Sequence, residues 1–317
     1  MQTLTYTLVD VFTAQFFGGN QLAVFHDGSG LDTKIMQRIA NELNLSETAF
    51  ICPPRKPQHQ LSLRIFTPQV ELPIAGHPTI GTAFVMAYLN MLPLYDGMNE
   101  WIIEEELTDI AVTVRKEGEK ITTVEMIQPL PVFGEVFERQ ALVADLLSLP
   151  KGELDTRFPI QTVSSGIPFL FVPLRSLAAM REINFRTDVW ERHFSGDSNR
   201  QHIFTFTTET EHDDSTVHCR MFAPAMGISE DPATGAACGP LGAFLVEHGV
   251  IDNGDEGHFF IRSEQGIEMG RPSFIDITIT KNSETYQEVK LVVLLSSSDE
   301  VNFTFPNFQK ELSTSES

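Results

Sequence analysis

The amino-acid sequence predicts an α+β protein that consists of two similar lobes. The first observation is a repeated phrase, because RIFTP at Arg64–Pro68 returns as RMFAP at Arg220–Pro224. Each copy runs through a polar cluster into a helix start rich in Gly and Pro, AGHPTIGTAF and then EDPATGAACGPLGAF. The second observation is that strands and helices follow one order in both halves. The repeat is much longer than the roughly 20–50 residues of solenoids and propellers, so it indicates a duplicated lobe.

The first elements of the N-terminal lobe are predicted from alternation and spacing. LTYTLVDVF and NQLAVFHD alternate as strands do, and the turn Gly18-Gly19-Asn20 between them predicts a hairpin. An amphipathic helix follows, because four apolar residues recur at a spacing of four: Leu31, Ile35, Ile39 and Leu43. ETAFICPP and LSLRIFTP are expected to be strands that end at proline.

The rest of this lobe is a central helix and a meander. Pro78 suits the first position of a helix, and TIGTAFVMAYLNML is apolar nearly all round, which predicts a helix buried on most sides. WIIEEEL, DIAVTVRKEG and ITTVEMIQP are predicted to be strands.

The second half repeats this order. PIQTVSSGIPFLFVPL predicts strand, turn and strand, residues 176–194 are more helical, and QHIFTFTTE and TVHCRMFAP are strand-like. Pro240 is expected to open the helix PLGAFLVEHG, with Gly249 at its end, before strands in GHFFIRSEQG, SFIDITIT and VKLVVLL. We expect an N-terminal lobe over 1–130, whose C-terminal strand crosses over, a C-terminal lobe over 131–308 and a frayed tail over 309–317.

The amino-acid composition indicates that the binding partner is a small molecule or another protein. The formal net charge of −21 argues against nucleic acid and against anionic membranes. The sequence has no signal-peptide pattern and no apolar run near ~18 residues, so a cytoplasmic protein is expected. Three cysteines without metal spacing suit a reducing compartment and predict neither a disulfide framework nor a metal site: Cys52, Cys219 and Cys238.

Polar residues precede both central helices. His77 stands just before Pro78, and Asp231 is interpreted as its repeat counterpart ahead of the second helix. Considered alone, His77 is interpreted as a helix-capping or core histidine, and Asp231 is interpreted as a turn or cap residue. Two helix N-termini facing each other would bind a carboxylate, and Gly76, Gly235 and Gly239 would let a ligand approach the backbone. Because His77 and Asp231 are taken to stand at equivalent places in the two halves, a functional role for the pair is favoured.

Two further residues are candidates. Cys238 at a helix start could act as a nucleophile or base, but its interpretation as an inert buried thiol is favoured because Ala75 stands at the matching place. Glu47 in NLSETAF follows the first helix, where a Ser-Glu pair is usually at the surface. From the residues alone, the site is a polar cleft between two lobes.

Five blocks of this sequence resemble the PhzF-like family of phenazine biosynthesis proteins. They are DVFTAQFFGGNQLAVF, NLSETAF, RIFTPQVELPIAGHPTIGTAF, SEDPATGAACGPLGAFLVEHG and EQGIEMGRPSF, in the family's order over residues 10–274. The resemblance implies the fold of diaminopimelate epimerase, in which two pseudo-symmetric lobes each curl a β-sheet round a central helix. It also implies a homodimer and an isomerisation that needs neither metal nor organic cofactor.

The resemblance assigns roles to individual residues. It implies that Glu47 moves the proton, that His77 and Asp231 hold the substrate and assist, and that substrate-binding positions lie at Asn20, Ser46, Gly76, Gly235 and Ala236. Ala236 stands where the family often has serine, which counts against the phenazine precursor as the substrate. A thiol-dependent racemase or epimerase that uses Cys238 and a non-catalytic binding protein are the alternatives to an acid/base isomerase.

Overall fold

The computed structural model describes residues 3–251, 257–282 and 285–294. The predicted tail at 309–317 and the end of the C-terminal lobe therefore lie outside the described residues. The first half contains eight strands and two helices: β1 Tyr6–Val11, β2 Asn20–Phe25, α1 Thr33–Leu43, β3 Glu47–Cys52, β4 Leu61–Phe66, β5 Glu71–Leu72, α2 His77–Tyr88, β6 Gly97–Glu104, β7 Asp109–Glu117 and β8 Lys120–Ile127.

The second half adds nine strands and four helices to the described part of the chain. They are β9 Val132–Val136, α3 Gln140–Leu147, β10 Gln161–Ser164, β11 Pro168–Pro173, α4 Leu177–Glu182, α5 Thr187–His193, β12 Ile203–Thr207, β13 Val217–Ala223, β14 Ile228–Asp231, α6 Gly235–Glu247, β15 His258–Gln265, β16 Ser273–Lys281 and β17 Tyr286–Leu294. The content of strands and helices confirms the predicted α+β class.

Strand pairing shows the duplication directly. In the first half, β1–β2, β3–β4, β4–β5, β6–β7 and β7–β8 are antiparallel, whereas β2–β3 and β4–β6 are parallel. The second half repeats this pattern from β10 to β17, with β11–β12 and β13–β15 as its parallel pairs. The two halves join where β8 pairs antiparallel with β17, and β9 adds a strand beside β10.

Each half wraps its sheet round one central helix. Helix α2 packs against β1, β2, β3, β7 and β8, and α6 packs against β10, β11, β15, β16 and β17. Both helices are buried along nearly their whole length, as an apolar surface on all sides predicts. One apolar core runs through both halves, and a second lies under α3, α4 and α5. The helix starts are therefore held inside the molecule.

Three local expectations needed correction. Pro240 does not open a helix but lies inside α6, a position where proline typically costs about 3 kcal/mol. Asn20 is not in the turn but begins β2, paired with Val11. Helix α3 was not predicted, although Val143, Leu146 and Leu147 are buried at helical spacing.

The other predicted elements are present. Asp32 caps α1 by accepting a hydrogen bond of 2.8 Å from the amide of Ile35, and Asn44 ends this helix in the left-handed conformation. Gly249, with φ of 61°, follows α6 as expected. None of the helices in the described ranges has the length and apolar character needed to cross a membrane. The lobe boundaries near residues 130 and 308 stay predictions.

Candidate active site

The N-termini of α2 and α6 meet at two glycines. A Cβ added to Gly76 would lie 2.5 Å from the carbonyl carbon of Gly235 and 2.6 Å from the amide nitrogen of Ala236. One added to Gly235 would lie 3.0 Å from the amide nitrogen of His77. These glycines admit each other's backbone, and both also line the cleft, so their predicted role in admitting a ligand stays a prediction. The close approach fixes the two helix starts against each other.

Gly239 has a different role from the one predicted. A Cβ there would lie 1.9 Å from Oε1 of Gln128 and 2.7 Å from a methyl group of Val289, so the residue packs against Gln128 and strand β17. The Gln128 amide donates a hydrogen bond of 3.1 Å to the carbonyl of Gly235. Gly239 therefore makes room for the side chain that holds the start of α6.

One Arg–Glu salt bridge in each half shows which residues of the two halves are equivalent. Arg64 donates two hydrogen bonds of 2.7 Å to Glu71, and Arg220 donates bonds of 2.7 and 2.8 Å to Glu230. The residue that follows Glu230 is Asp231, so its counterpart is the residue that follows Glu71, which is Leu72. The prediction that Asp231 is the counterpart of His77 was wrong.

A second pair of hydrogen bonds confirms this alignment. The amide of Ala75 donates to the side chain of Glu105 over 3.0 Å, and the amide of Thr234 donates to the side chain of Gln265 over 3.2 Å. Ala75 thus corresponds to Thr234, and His77, two residues on, to Ala236. Cys238 is one helical turn beyond Thr234 and does not oppose Ala75, which corrects that part of the sequence interpretation.

Glu47 and His77 face each other across the cleft. Glu47 begins β3, whose first residue pairs with Leu22, and its Oε2 lies 3.3 Å from Nε2 of His77. The two residues are 8% and 2% exposed. Neither of these two atoms has a hydrogen-bond partner within the described residues. Buried polar atoms are normally paired, so these are atoms that a bound molecule would satisfy.

Asp231 is held by three polar side chains. Asn20 donates to Oδ1 over 2.8 Å, Thr234 donates to Oδ2 over 2.6 Å, and the hydroxyl of Ser46 also bonds this carboxylate. Asn20 further donates to the carbonyl of Ala233 over 2.9 Å. Asn20 and Ser46 therefore lie at the site, where their contacts fix Asp231. Their predicted role in binding substrate stays a prediction.

The Asn20 amide also sets the state of His77. Its nitrogen lies 3.5 Å from Nδ1 of His77 and cannot accept a hydrogen bond, so the imidazole proton is best placed on Nε2, which faces the Glu47 carboxyl. Burial lowers the pKa of His77 to about 3, because the charged ring would be desolvated. His77 is consequently a neutral hydrogen-bond donor toward the cleft.

Burial raises the pKa of both carboxyl groups. The pKa of Glu47 lies well above its ordinary value because the group is desolvated and because Asp231 adds negative charge nearby. Desolvation also raises the pKa of Asp231, to about 6, although hydrogen bonds from Thr234, Ser46 and Asn20 oppose the change. The two carboxyl groups therefore lose their protons as an interacting pair rather than independently.

The cleft beside these groups contains about 350 Å³ of space not occupied by atoms. Its polar lining residues are Glu47, His77, Asp231 and Thr234. Its apolar lining includes Leu72, Ile74, Ile167, Phe169, Met221, Met226 and Ile228. Within the described part of the chain, no lysine or arginine lines it. The starts of both helices, at Gly76 and at Gly235 and Ala236, complete the wall.

Three residues that shape this site were not among the site residues predicted from the sequence. Thr234 lies inside the quoted motif EDPATG and was open to recognition as a partner of Asp231. Gln265 donates to the backbone carbonyl of Asp231 over 2.7 Å, and Glu105 accepts from the amide of Ala75, just before α2. Gln265 ends β15 and lies in the quoted block EQGIEMGRPSF, whereas Glu105 follows β6 and reaches the site only through strand register.

The thiol of Cys238 does not reach the cleft. Its side chain is fully buried in the core and does not line the cavity. Burial raises the pKa of this thiol well above its ordinary value, and the neighbouring Cys219 adds to the effect. A thiol-dependent racemase using Cys238 has no geometric support. In the described ranges no cluster of three or more His, Cys, Asp or Glu side chains is arranged to hold a metal ion.

Comparison with known proteins decides the family. A family model for phenazine biosynthesis-like proteins matches residues 9–297. The chain belongs to this family. It is 34% identical over 277 residues to the trans-2,3-dihydro-3-hydroxyanthranilate isomerase of Pseudomonas chlororaphis, covering 85% of this chain and 88% of the relative. It is 35% identical over 284 residues to an uncharacterized isomerase of Mesorhizobium japonicum, covering 88% and 92%.

A solved structure shows the same fold. The phenazine biosynthesis protein of the PhzF family from Bacillus anthracis matches with a TM-score of 0.81 at 24% identity, over 93% of this chain and 98% of that one. The predicted family and fold are confirmed, and the prediction of an isomerase is confirmed at the level of the family, whose members named above are isomerases. The roles of the individual site residues stay predictions.

Proposed function

We propose that the protein isomerises a small carboxylate-bearing, cyclic or amino-acid-like substrate by moving one proton between two carbons, with Glu47 as the group that carries it. The observation that supports this most is the convergence of Glu47, His77 and Asp231, from three separate elements, on one buried cleft. The resemblance assigned these three residues, and the site's chemistry fits their proposed roles.

Glu47 suits proton transfer at carbon because its basicity is raised. A carboxylate at an ordinary pKa near 4.3 is a weak base for a C–H bond. Burial beside Asp231 raises the pKa of Glu47 and so brings it closer to that of the carbon acid and to the working pH. General acid/base transfer of this kind typically contributes about 10²–10⁴-fold in rate.

The substrate carboxylate is proposed to bind at the helix starts. The cleft wall lacks lysine and arginine among the described residues, so the backbone N–H groups at the N-termini of α2 and α6 are the available positive ends. The same groups would stabilise negative charge that develops on the substrate during transfer. The ring or side chain of the substrate would lie against the apolar residues of the cleft lining.

The proposed reaction balances within the substrate and Glu47. The Glu47 carboxylate takes a proton from one carbon, and the electron pair of the broken C–H bond moves into the conjugated system. While the proton is on the Glu47 carboxyl group, it exchanges with solvent. The electron pair then forms a C–H bond at a second carbon with the proton that Glu47 donates, and Glu47 becomes a carboxylate again. His77 donates from Nε2 to a polar substituent, and Asp231 accepts a hydrogen bond from another.

Solvent exchange identifies the substrate and tests the reaction together. The protein is incubated in D₂O with trans-2,3-dihydro-3-hydroxyanthranilate, named for the relative above, and with a panel of cyclic and aromatic-precursor amino or hydroxy acids. We expect isomerisation with deuterium incorporation, by ¹H NMR, for at least one. Ala236 favours a substrate other than the first compound. A binding protein without turnover would exchange none of them, and this outcome would contradict the proposal.

The homodimer and the cytoplasmic location are part of the same proposal. The homodimer rests on the family resemblance, and the location rests on composition. Light scattering of the purified protein that gives a monomer mass would contradict the first. Recovery with the membrane or secreted fraction would contradict the second.

A further inference from the structure

Glu105 is a buried acid behind the start of α2. It directly follows β6 and is 2% exposed. Its Oε2 accepts a hydrogen bond of 3.0 Å from the amide of Ala75, and its Oε1 makes a short contact with Oγ1 of Thr79. Ala75 lines the cleft and His77 lies two residues on, so Glu105 holds the segment that positions His77.

The second half uses an uncharged amide at the equivalent place. Ser62 pairs with Glu104 and His218 pairs with Glu264, so the residues that follow, Glu105 and Gln265, are counterparts. Gln265 accepts from the amide of Thr234 over 3.2 Å and donates to its hydroxyl over 3.0 Å. One helix start is thus fastened by a neutral amide and the other by an acid of the same length.

The hydroxyl of Thr79 shows which form of Glu105 fits. This hydroxyl donates its single proton to the carbonyl of Ala75 over 2.8 Å. Its short contact with Glu105 is then a hydrogen bond only if the acid is protonated and donates to the hydroxyl oxygen. A protonated Glu105 accepts from Ala75 and donates to Thr79, as Gln265 does with its amide. Desolvation raises the pKa of Glu105 to about 8, in agreement with this geometry.

No opposite charge offsets the burial of this acid. In the part of the chain that the structure describes, its carboxyl has no cationic partner, because Arg55 donates to the backbone carbonyl of Glu105 and pairs its charge with Glu104. On α2 the nearest titratable group is His77, which burial keeps neutral. Ionisation would therefore leave an unpaired buried charge beside the helix start.

We propose that Glu105 is a positioning residue that works as a neutral carboxylic acid, holding Ala75, Gly76 and His77 in place for an anionic ligand. Its ionisation would set a negative charge against the helix N-terminus that binds the ligand carboxylate, and binding would weaken. This inference rests on the proposed function, because that function places a carboxylate at the start of α2.

Glu105→Gln tests the proposal, since it copies the arrangement of the second half. The neighbouring Glu106→Gln, on an exposed side chain, is the matched control. Two readouts are followed from pH 6 to 9.5: the amide resonance of Ala75 by NMR, and the Kd of 3-hydroxyanthranilate as a probe. In the wild type we expect the resonance to titrate with a midpoint of about 8 and the Kd to rise ~10-fold for each pH unit above it.

In Glu105→Gln, both readouts should be independent of pH within about two-fold, whereas Glu106→Gln should follow the wild type. Persistence of the amide titration in Glu105→Gln, or its absence in the wild type, would overturn the proposal. If the probe binds at no pH while the amide titration depends on Glu105, the positioning role is supported and the proposed ligand site is contradicted.

A second variant covers the case in which Glu105→Gln does not fold. Thr79→Val removes the hydroxyl oxygen that accepts the proton of neutral Glu105, so the neutral acid loses a hydrogen bond. The midpoint of the Ala75 amide titration should then move below 8. An unchanged midpoint in Thr79→Val would contradict the arrangement.

Discussion

Replacing Gly76 by alanine should force apart the two helix starts that form the cleft. The added Cβ would stand 2.5 Å from the carbonyl carbon of Gly235 and 2.7 Å from its Cα. Both are backbone atoms of a buried helix, so no flexible side chain can move aside. Ordinary contact between carbon atoms begins near ~3.5 Å, so α2 and α6 must separate by about 1 Å.

The size of the effect follows from that displacement. Overpacking of this kind costs typically about 1–3 kcal/mol of the free energy of unfolding. A misplacement of ~1 Å between catalytic groups and substrate costs about 10²-fold in rate. We therefore expect Gly76→Ala to fold, with a Tm lower by a few degrees, and to lose about 10²-fold in kcat/KM on the substrate found by solvent exchange.

Gly152→Ala is the matched control, because a Cβ at Gly152 would meet no atom within 4 Å. Unfolding in urea and steady-state kinetics are measured for the wild type and both variants. The control should match the wild type in both assays. If Gly76→Ala keeps wild-type kcat/KM while folded, the contact between the two helix starts does not set the geometry of the site.

Three further predictions concern ionisation. Asp231→Asn should lower the pKa of Glu47, because it removes a nearby negative charge. The acid limb of the kcat/KM–pH profile should therefore shift to lower pH. An unmoved limb would contradict the interaction between Asp231 and Glu47. The His77 ring should show no NMR titration between pH 5 and 8, since its pKa is about 3, and a midpoint near 6.5 would contradict its neutral state. Burial lowers the pKa of His218, but hydrogen bonds and ion pairs with two glutamates outweigh it and raise the pKa to about 9. His218 should therefore contribute about 3 kcal/mol to the free energy of unfolding below pH 6.5, and this contribution should fall away as pH rises through 9. Urea unfolding of the wild type and of His218→Gln is compared at pH 6 and 9.5. The difference in free energy of unfolding should be smaller at pH 9.5.

The duplicated fold could be predicted from the sequence because each half carries its own local signals. Alternation, prolines at strand ends and two all-round apolar helices sit in the same order twice. The equivalence of single residues could not be predicted. The second half inserts a 3₁₀ turn at Pro224–Met226 between its strand and its helix, so positions counted from the repeated phrase no longer correspond.

The candidate site was predictable where one motif carries the residue. Glu47, His77 and Asp231 lie in quoted motifs, and the structure brings them together. Glu105 follows a strand of ordinary composition and lies in no quoted motif, and its place behind the start of α2 depends on strand register across the sheet. Gln265 lies in the quoted block EQGIEMGRPSF, but its contact with Thr234 also depends on strand register. The roles of Gly76 and Gly235 needed coordinates, because sequence shows that glycine permits close approach but not which atoms approach.

The carrier role of Glu47 is the central claim, and Glu47→Gln tests it most directly. The variant keeps the size and an oxygen of the side chain but cannot take a proton from carbon. The measurement is the initial rate of isomerisation in D₂O, with Glu119→Gln, an exposed acid, as control. The account predicts a loss of at least about 10²-fold for Glu47→Gln and a wild-type rate for Glu119→Gln. A wild-type rate in folded Glu47→Gln would contradict it.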